Sequence, residues 1–302
     1  MQKLPENIIK LAKISPAVKK QFFCGSSPIT KANDPLLEDT KYQKIKGLIH
    51  KYPRRVLIIL SKQCGAYCSF CSRKRFLNDL LEYQLTNKDL ENIASYIKKH
   101  KEIKEVILSG GDPLMAKSFY DAIDIFAKIE QIKIIRIHTR AILSAPQLFT
   151  KNFFAKLKNT KKTIYISFHI NHAYELTSIA KKIIKQCKDS GFVLLTQTVF
   201  LKGINDSAKT LESLFSQLSE LGVMPYYIHH CDKVDGLENF TIPIKKEIAI
   251  MTELEKKLSG VELPKHVVDA PFGNGKIPIP QNFWKFDYNQ YKDYKGKTIT
   301  MH

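Results

Sequence analysis

Three cysteines, Cys64, Cys68 and Cys71, stand in one run, SKQCGAYCSFCSRKR, at C-x3-C-x2-C spacing. Three thiolates on a short loop can hold three irons of a [4Fe–4S] cluster and leave the fourth open to a small molecule. A zinc site would call for a fourth Cys or His and usually for paired C-x2-C knuckles, and a chance grouping of buried cysteines is the remaining alternative. The other cysteines, Cys24, Cys187 and Cys231, are scattered and read as small core residues. Six cysteines so dispersed in 302 residues do not make a secreted disulfide framework. A reducing compartment is expected, with the clustered three as ligands.

Two further stretches carry residue types suited to chemistry. SGGDPL, Ser109 to Leu114, puts a glycine pair where backbone can approach a ligand closely, although Gly-Gly also serves plain turns. VVDAPFGNGKIP sets Lys276 behind a glycine-rich turn. A lysine on such a loop is ordinarily solvent-exposed, but one held in a partly desolvated site can lose its proton and form a Schiff base with pyridoxal phosphate (PLP).

Elements must bring these stretches together. RVLIILS, EVILSG, KIIRIHT, TIYISFH, FVLLTQTVF and PYYIHH read as six buried strands, and amphipathic stretches at 86–100, 116–130, 145–158, 173–190 and 206–221 alternate with them. Thr86 and Asp89 have capping-box spacing. Strand–helix–strand repetition calls for right-handed crossovers and a parallel sheet, and six units are too few for a closed eight-stranded barrel. The expected fold is α/β, a partial (β/α)6 barrel over residues 51–260 with its ligands at the carboxyl ends of the strands. Residues 1–50, with Pro28 and Pro35 and no convincing strand, read as a helical N-terminal arm. Residues 243–259 read as a last helix, and 261–302 as a C-terminal, Pro/Gly-rich loop that returns to the site.

The chain carries 48 Lys+Arg against 29 Asp+Glu, a net charge of +19. Its lysines are spread over helical faces without aromatic interleaving, so the charge reads as solvated surface and no nucleic acid is expected. There is no run of eighteen apolar residues and no signal-peptide pattern at the N-terminus, which predicts a cytoplasmic protein away from membranes.

The cysteine spacing after a strand, with Phe70 just before the last cysteine, resembles the cluster loop of the radical S-adenosylmethionine (SAM) superfamily. Within it the chain resembles the lysine 2,3-aminomutase family from DPLLEDT at 34–40 to about residue 298. HKYPRRVLIIL, CGAYCSFCSRKRF, ILSGGDPL, FHINHAYE, TQTVFLKGIND, PYYIHHCD and VVDAPFGNGKIP occur in the family's order and at matching intervals. The resemblance implies that Cys64, Cys68 and Cys71 bind the cluster and that SAM chelates its open iron. It implies that Gly110, Gly111 and Asp112 receive the methionine end of SAM, with His169 and Gln197 close by, though a lone strand-end histidine is more often structural. It implies that Lys276 carries PLP, with Lys51, Tyr52 and Arg55 toward the cofactor phosphate; Lys51 stands where an arginine is usual.

For the substrate, the resemblance implies Arg73 on the α-carboxylate and the pair Asp232 and Asp269 on the distant ammonium of L-lysine. Either aspartate alone reads as a cap or turn residue; together they favour a cationic side chain and repel an acidic one. The implied reaction is lysine 2,3-amino migration with SAM re-formed, fed by a reductant such as flavodoxin or ferredoxin. Two departures from the longer members stand out. The chain stops at His302 without their cysteine-rich extension, so no zinc is expected, and His229 stands where they carry tyrosine. Histidine there, with GGDPLMAK, IRIH and GVMPYY, resembles the short branch that makes (R)-β-lysine for elongation factor P and its lysyl-transferring enzyme, whereas the Asp269 loop is closer to enzymes acting on free lysine. A radical SAM enzyme that modifies RNA, or a non-catalytic metal module, would need neither Lys276 nor the aspartate pair.

Overall fold

The computed structural model describes residues 4–23, 34–78, 83–281, 290–292 and 297–300; Cys24 and Pro28 lie outside these. Two helices, α1 (Glu6–Ile14) and α2 (Pro16–Phe23), pack on each other, with Pro16 at the first helical position, where its missing N–H is no loss. A hairpin of β1 (Gln43–Ile45) and β2 (Leu48–Tyr52) leads into β3 (Arg55–Ser61). From there helices and strands alternate: α3 (Asn87–Lys99), β4 (Glu105–Gly110), α4 (Phe119–Ala127), β5 (Ile134–Thr139), α5 (Ala141–Ser144), α6 (Lys151–Lys158), β6 (Thr163–His169), α7 (Ser178–Asp189), β7 (Val193–Val199), α8 (Ala208–Glu220) and β8 (Met224–His229). The series closes with α9 (Ile244–Glu255), β9 (Lys265–Ala270) and β10 (Gly275–Pro278); β11 (Gln290–Lys292) and β12 (Thr298–Thr300) form a separate pair.

The main sheet runs β1 to β10 in chain order, parallel from β3 through β9 and antiparallel at both edges. The six expected strands are β3 to β8, an open α/β barrel. Residues 1–50, expected to hold no strand, carry β1 and the start of β2, which pairs with β3, and the expected C-terminal loop at 261–302 carries the β9–β10 hairpin. Both departures have one cause: these strands are short, and Pro and Gly beside them look like loop.

The helices form where apolar residues recur with helical period. In α7, Ala180, Ile183, Ile184 and Cys187 are buried on one stripe, each apolar side chain contributing roughly 1–3 kcal/mol by burial. Thr86 and Asp89 make the full capping box, and Thr150, Thr177 and Ser207 cap α6, α7 and α8 through their side-chain oxygens. The stretches at 145–158 and 173–190 therefore start their α-helices later than expected, after a 3-10 turn in each. Among the described residues no helix is long and apolar enough to cross a membrane.

The open sides of the barrel are tied by contacts other than strand pairing. Tyr42 Oη donates to the Gly273 carbonyl (2.9 Å), the Phe272 N–H donates to Pro35 O (2.8 Å), and the Lys276 N–H donates to Tyr52 Oη (3.2 Å). Residues 34–52 thus meet the β9–β10 hairpin, and the carboxyl ends of the strands face a cavity of about 370 Å³, within the ordinary range for a small-molecule site.

Candidate active site

The cysteine loop leaves the end of β3 and turns sharply at Tyr67, which has φ +47°, a region non-glycine residues seldom adopt. The Ser69 N–H donates to Gln21 O of α2 (2.8 Å) and the Cys71 N–H to Cys68 O (3.1 Å), so the loop is held before any metal arrives. All three thiols line the cavity. Burial pushes them up, Cys68 to about 11, and the charge of neighbouring cysteines pushes Cys64 and Cys68 further. Three adjacent thiolates in a low-dielectric pocket are stable only with cations among them, which is what iron provides. Among the described residues no three His, Cys, Asp or Glu side chains converge on a single-ion site.

Gly110 and Gly111 line the cavity beside the loop, and their lack of side chains is demanded by the protein's own backbone. A Cβ on Gly110 would lie 2.2 Å from Ser61 O, and one on Gly111 would lie 2.2 Å from Gln63 O. The ends of β4 and β3 are thus stitched together, with the Gly111 N–H donating to Ser61 O (2.8 Å). Asp112 departs from the expected ligand contact. It is 1% exposed and its carboxylate accepts from Thr139 Oγ1 (2.8 and 2.9 Å), the Arg140 N–H (2.8 Å) and the Leu114 N–H (3.1 Å). Burial raises its pKa to about 6 in spite of these bonds. Its side chain ties β4 to the end of β5 and is spent on that.

The β9–β10 register puts Lys276 directly across from Asp269. Lys276 Nζ sits 2.7 and 2.8 Å from the two Asp269 oxygens, and His229 Nδ1 is 3.1 Å from Oδ2. Burial alone would raise Asp269, but His229 and Lys276 hold it well below the usual carboxylate range. Burial pushes His229 down, against its hydrogen bond to Asp269; in the neutral ring that donates Nδ1–H to Asp269, Nε2 is left as an acceptor. That Nε2 and His138 Nε2 are buried without a partner, and both side chains line the cavity. Unpaired polar atoms of this kind fit a pocket made for a polar ligand. Asp232, hydrogen-bonded by Ser72, is raised to about 6 by burial and then by the charge of Asp269, which marks the two carboxylates as neighbours.

Toward β2 and β3, Arg55 stacks on the Tyr52 ring (4.0 Å) and Lys51 lies 5.6 Å from the same ring centre. Both cations line the cavity with Tyr52 and fit a phosphate. His169, at the end of β6, is driven to about 3 by burial and by Arg140, with Nε2 3.2 Å from Asn171 Oδ1. Gln197 lines the same end. Arg73 does not present an open fork: its Nε and Nη2 grip Glu38 (2.9 and 2.8 Å), and Nη1 donates to Ser109 Oγ (3.0 Å) and Gly110 O (3.3 Å). Glu38 is held down to about 2, against its burial, by Arg73 and Arg75.

The cavity thus gathers every residue expected at it except the Asp112 side chain, and adds Glu38, Arg136, His138 and Arg140. Arg136 and His138 had a legible signal. They are two apart in β5, and a period of two puts both on the face turned into the barrel. Glu38 and Arg140 sit among charged or coil-like neighbours and had none.

Comparisons with known proteins bear on the family and the fold. The model for the radical SAM superfamily matches residues 58–214. An L-lysine 2,3-aminomutase of Buchnera aphidicola is 40% identical over 252 residues, covering 82% of this chain and 73% of that protein. One from Methanococcus maripaludis is 36% identical over 268 residues, covering 87% of this chain and 61% of that protein. One from Fusobacterium nucleatum is 39% identical over 251 residues, and this chain spans 58% of its length. Streptococcus suis SuiB bound to S-adenosylmethionine superposes with a TM-score of 0.54 at 15% identity, covering 74% of this chain and 52% of that one, which bears on the fold.

Proposed function

Because the chain belongs to the radical SAM superfamily and, within it, to the L-lysine 2,3-aminomutase family, we propose that it isomerises L-lysine to β-lysine with a [4Fe–4S] cluster, SAM and PLP. The observation that carries this reading is one cavity with the three thiols, the lysine hairpin, and groups for both ends of a basic amino acid: Asp232 and Asp269 for an ammonium, and Arg73, which a carboxylate would have to draw away from Glu38. When bound, the cluster supplies the electron that cleaves SAM, SAM the radical that takes and returns a hydrogen, and PLP the carbonyl carbon that carries the migrating nitrogen.

The protein's own residues do the rest. Cys64, Cys68 and Cys71 hold iron, and Gly110, Gly111, His169 and Gln197 border the space for SAM. Lys276 binds PLP through Nζ, with Lys51, Tyr52 and Arg55 toward its phosphate. Lys276 Nζ rests on Asp269; drawn off it toward PLP, it would leave that carboxylate to act with Asp232 on the substrate ammonium. A buried pair of carboxylates rejects acidic side chains by repulsion. The walls exclude water, which a primary carbon radical requires.

The finer reading is supply of (R)-β-lysine for elongation factor P in the cytoplasm, supported by His229 and the wording shared with that branch. The test is anaerobic: reconstitute the cluster, add PLP, SAM, dithionite and L-lysine, and analyse by chiral chromatography. (R)-β-lysine formed without net loss of SAM supports the reading. Cleavage of SAM with lysine untouched would overturn the substrate assignment.

A further inference from the structure

Against the cysteine loop, at the edge of the cavity, lies a buried polar cluster built around Arg140. Arg140 is 5% exposed and its Nη1 donates to Cys68 Sγ (2.7 Å). Its Nη2 donates to Glu175 Oε2 (3.0 Å) and to Gln21 Oε1. Gln21, wholly buried on α2, also donates through Nε2 to Glu175 Oε1 (2.9 Å) and accepts the Ser69 N–H of the cysteine loop at its carbonyl. The guanidinium lies between two rings, 4.8 Å from the centre of Phe22 and 5.2 Å from that of Phe70. Asp112 fixes its backbone N–H.

We propose that Arg140 is a positioning residue that tunes the cluster: held by Gln21 and Glu175, it donates to the Cys68 sulfur and raises the reduction potential. Reduction adds negative charge to the cluster, and hydrogen bonds to a ligating sulfur favour the more negative state. Arginine suits the place because it stays charged when buried and its planar fork reaches sulfur, carboxylate and amide together. Glu175 balances its charge overall, so the effect on the cluster comes from the donor nearest the sulfur. The inference also gives α2 a task, since Gln21 holds the loop by its backbone and the tuning residue by its side chain. It rests on the reading of Cys64, Cys68 and Cys71 as cluster ligands, which iron analysis tests separately.

The experiment reconstitutes the wild-type protein, Arg140→Gln, Arg140→Lys and Gln21→Ala anaerobically. It measures iron and sulfide per chain, then the midpoint potential by EPR-monitored titration without SAM or lysine. Iron-replete Arg140→Gln should titrate at a more negative potential than wild type, with Arg140→Lys between them and Gln21→Ala shifted in the same direction by less. A purely structural role would lower iron content and leave the potential of the loaded fraction unmoved, and that result overturns the proposal. If Arg140→Gln fails to fold, unmoved potentials in both Arg140→Lys and Gln21→Ala overturn it equally. A wild-type protein that takes up no iron would instead remove the reading of the cysteine loop.

Discussion

Lys276 rests its ammonium on Asp269, so each of these residues has a distinct expected failure. Lys276→Ala should lose the visible absorbance of bound PLP and all isomerisation while keeping its iron, measured by spectrum and metal analysis on one sample. Asp269→Asn should raise KM for lysine about 30-fold or more, with SAM cleavage much less affected, since removing one partner of a buried charge pair costs about 2–5 kcal/mol. Asp232 gives a pH signature. Its pKa near 6 means that lysine capture weakens as pH falls through 6, because the protonated acid no longer attracts an ammonium. For folding the sign is opposite: the unfolded aspartate ionises near 4, so stability is lost as pH rises from about 4 to 6. Asp232→Asn should then raise the stability of the ligand-free protein at pH 7 by on the order of 1–2 kcal/mol, read by denaturant titration. Cys64, Cys68 and Cys71 stand out by spacing as a candidate ligand set, whereas Lys276, Asp232 and Asp269 look like ordinary loop and turn residues until the family's wording surrounds them. A carboxylate beside a glycine pair looks free, and nothing in SGGDPL says that Thr139 and Arg140 will take that of Asp112.

At the scale of elements, the hairpin of β9 and β10 decides where Lys276 points. Its turn needs Gly273 at φ +69°, where a Cβ would strike the Tyr42 ring at 2.3 Å. Gly273→Ala should therefore push residues 34–42 off the hairpin, destabilise the protein by about 1–3 kcal/mol and weaken PLP retention. Denaturant titration with a cofactor-release assay would measure both, and a variant holding PLP as firmly as wild type would refute the coupling. Strands β3 to β8 were readable because β-branched runs stand between amphipathic helices. The edge hairpins were not: three- to six-residue strands that get their stability from pairing leave little periodicity. The helix starts after Thr150 and Thr177 were obscured by short 3-10 turns that continue the helical pattern upstream.

At the scale of the whole molecule, the net charge of +19 gathers in part around a groove lined by Lys98, Lys101, Lys104, Lys128 and Lys133, with Glu130 as its one carboxylate among the lining residues. Lys104 and Lys133 immediately precede β4 and β5, so this groove lies at the amino ends of the strands, opposite the cavity. A polyanion drawn there would not reach the cluster, which weighs against an RNA substrate. Isomerase activity should accordingly be unaffected by added RNA at a salt concentration where RNA still binds; parallel gel-shift and turnover assays test this, and competitive inhibition would contradict it. The ties between residues 34–52 and the β9–β10 hairpin reach across more than two hundred positions of chain, as from Tyr42 to Gly273. Contacts this distant in sequence form late in folding. During synthesis the cysteine loop and its strand emerge about two hundred residues ahead of Lys276 and of Gly273, which meets residues 34–42. A nascent chain can therefore present its three clustered thiols before the hairpin that carries Lys276 into the same cavity has been made.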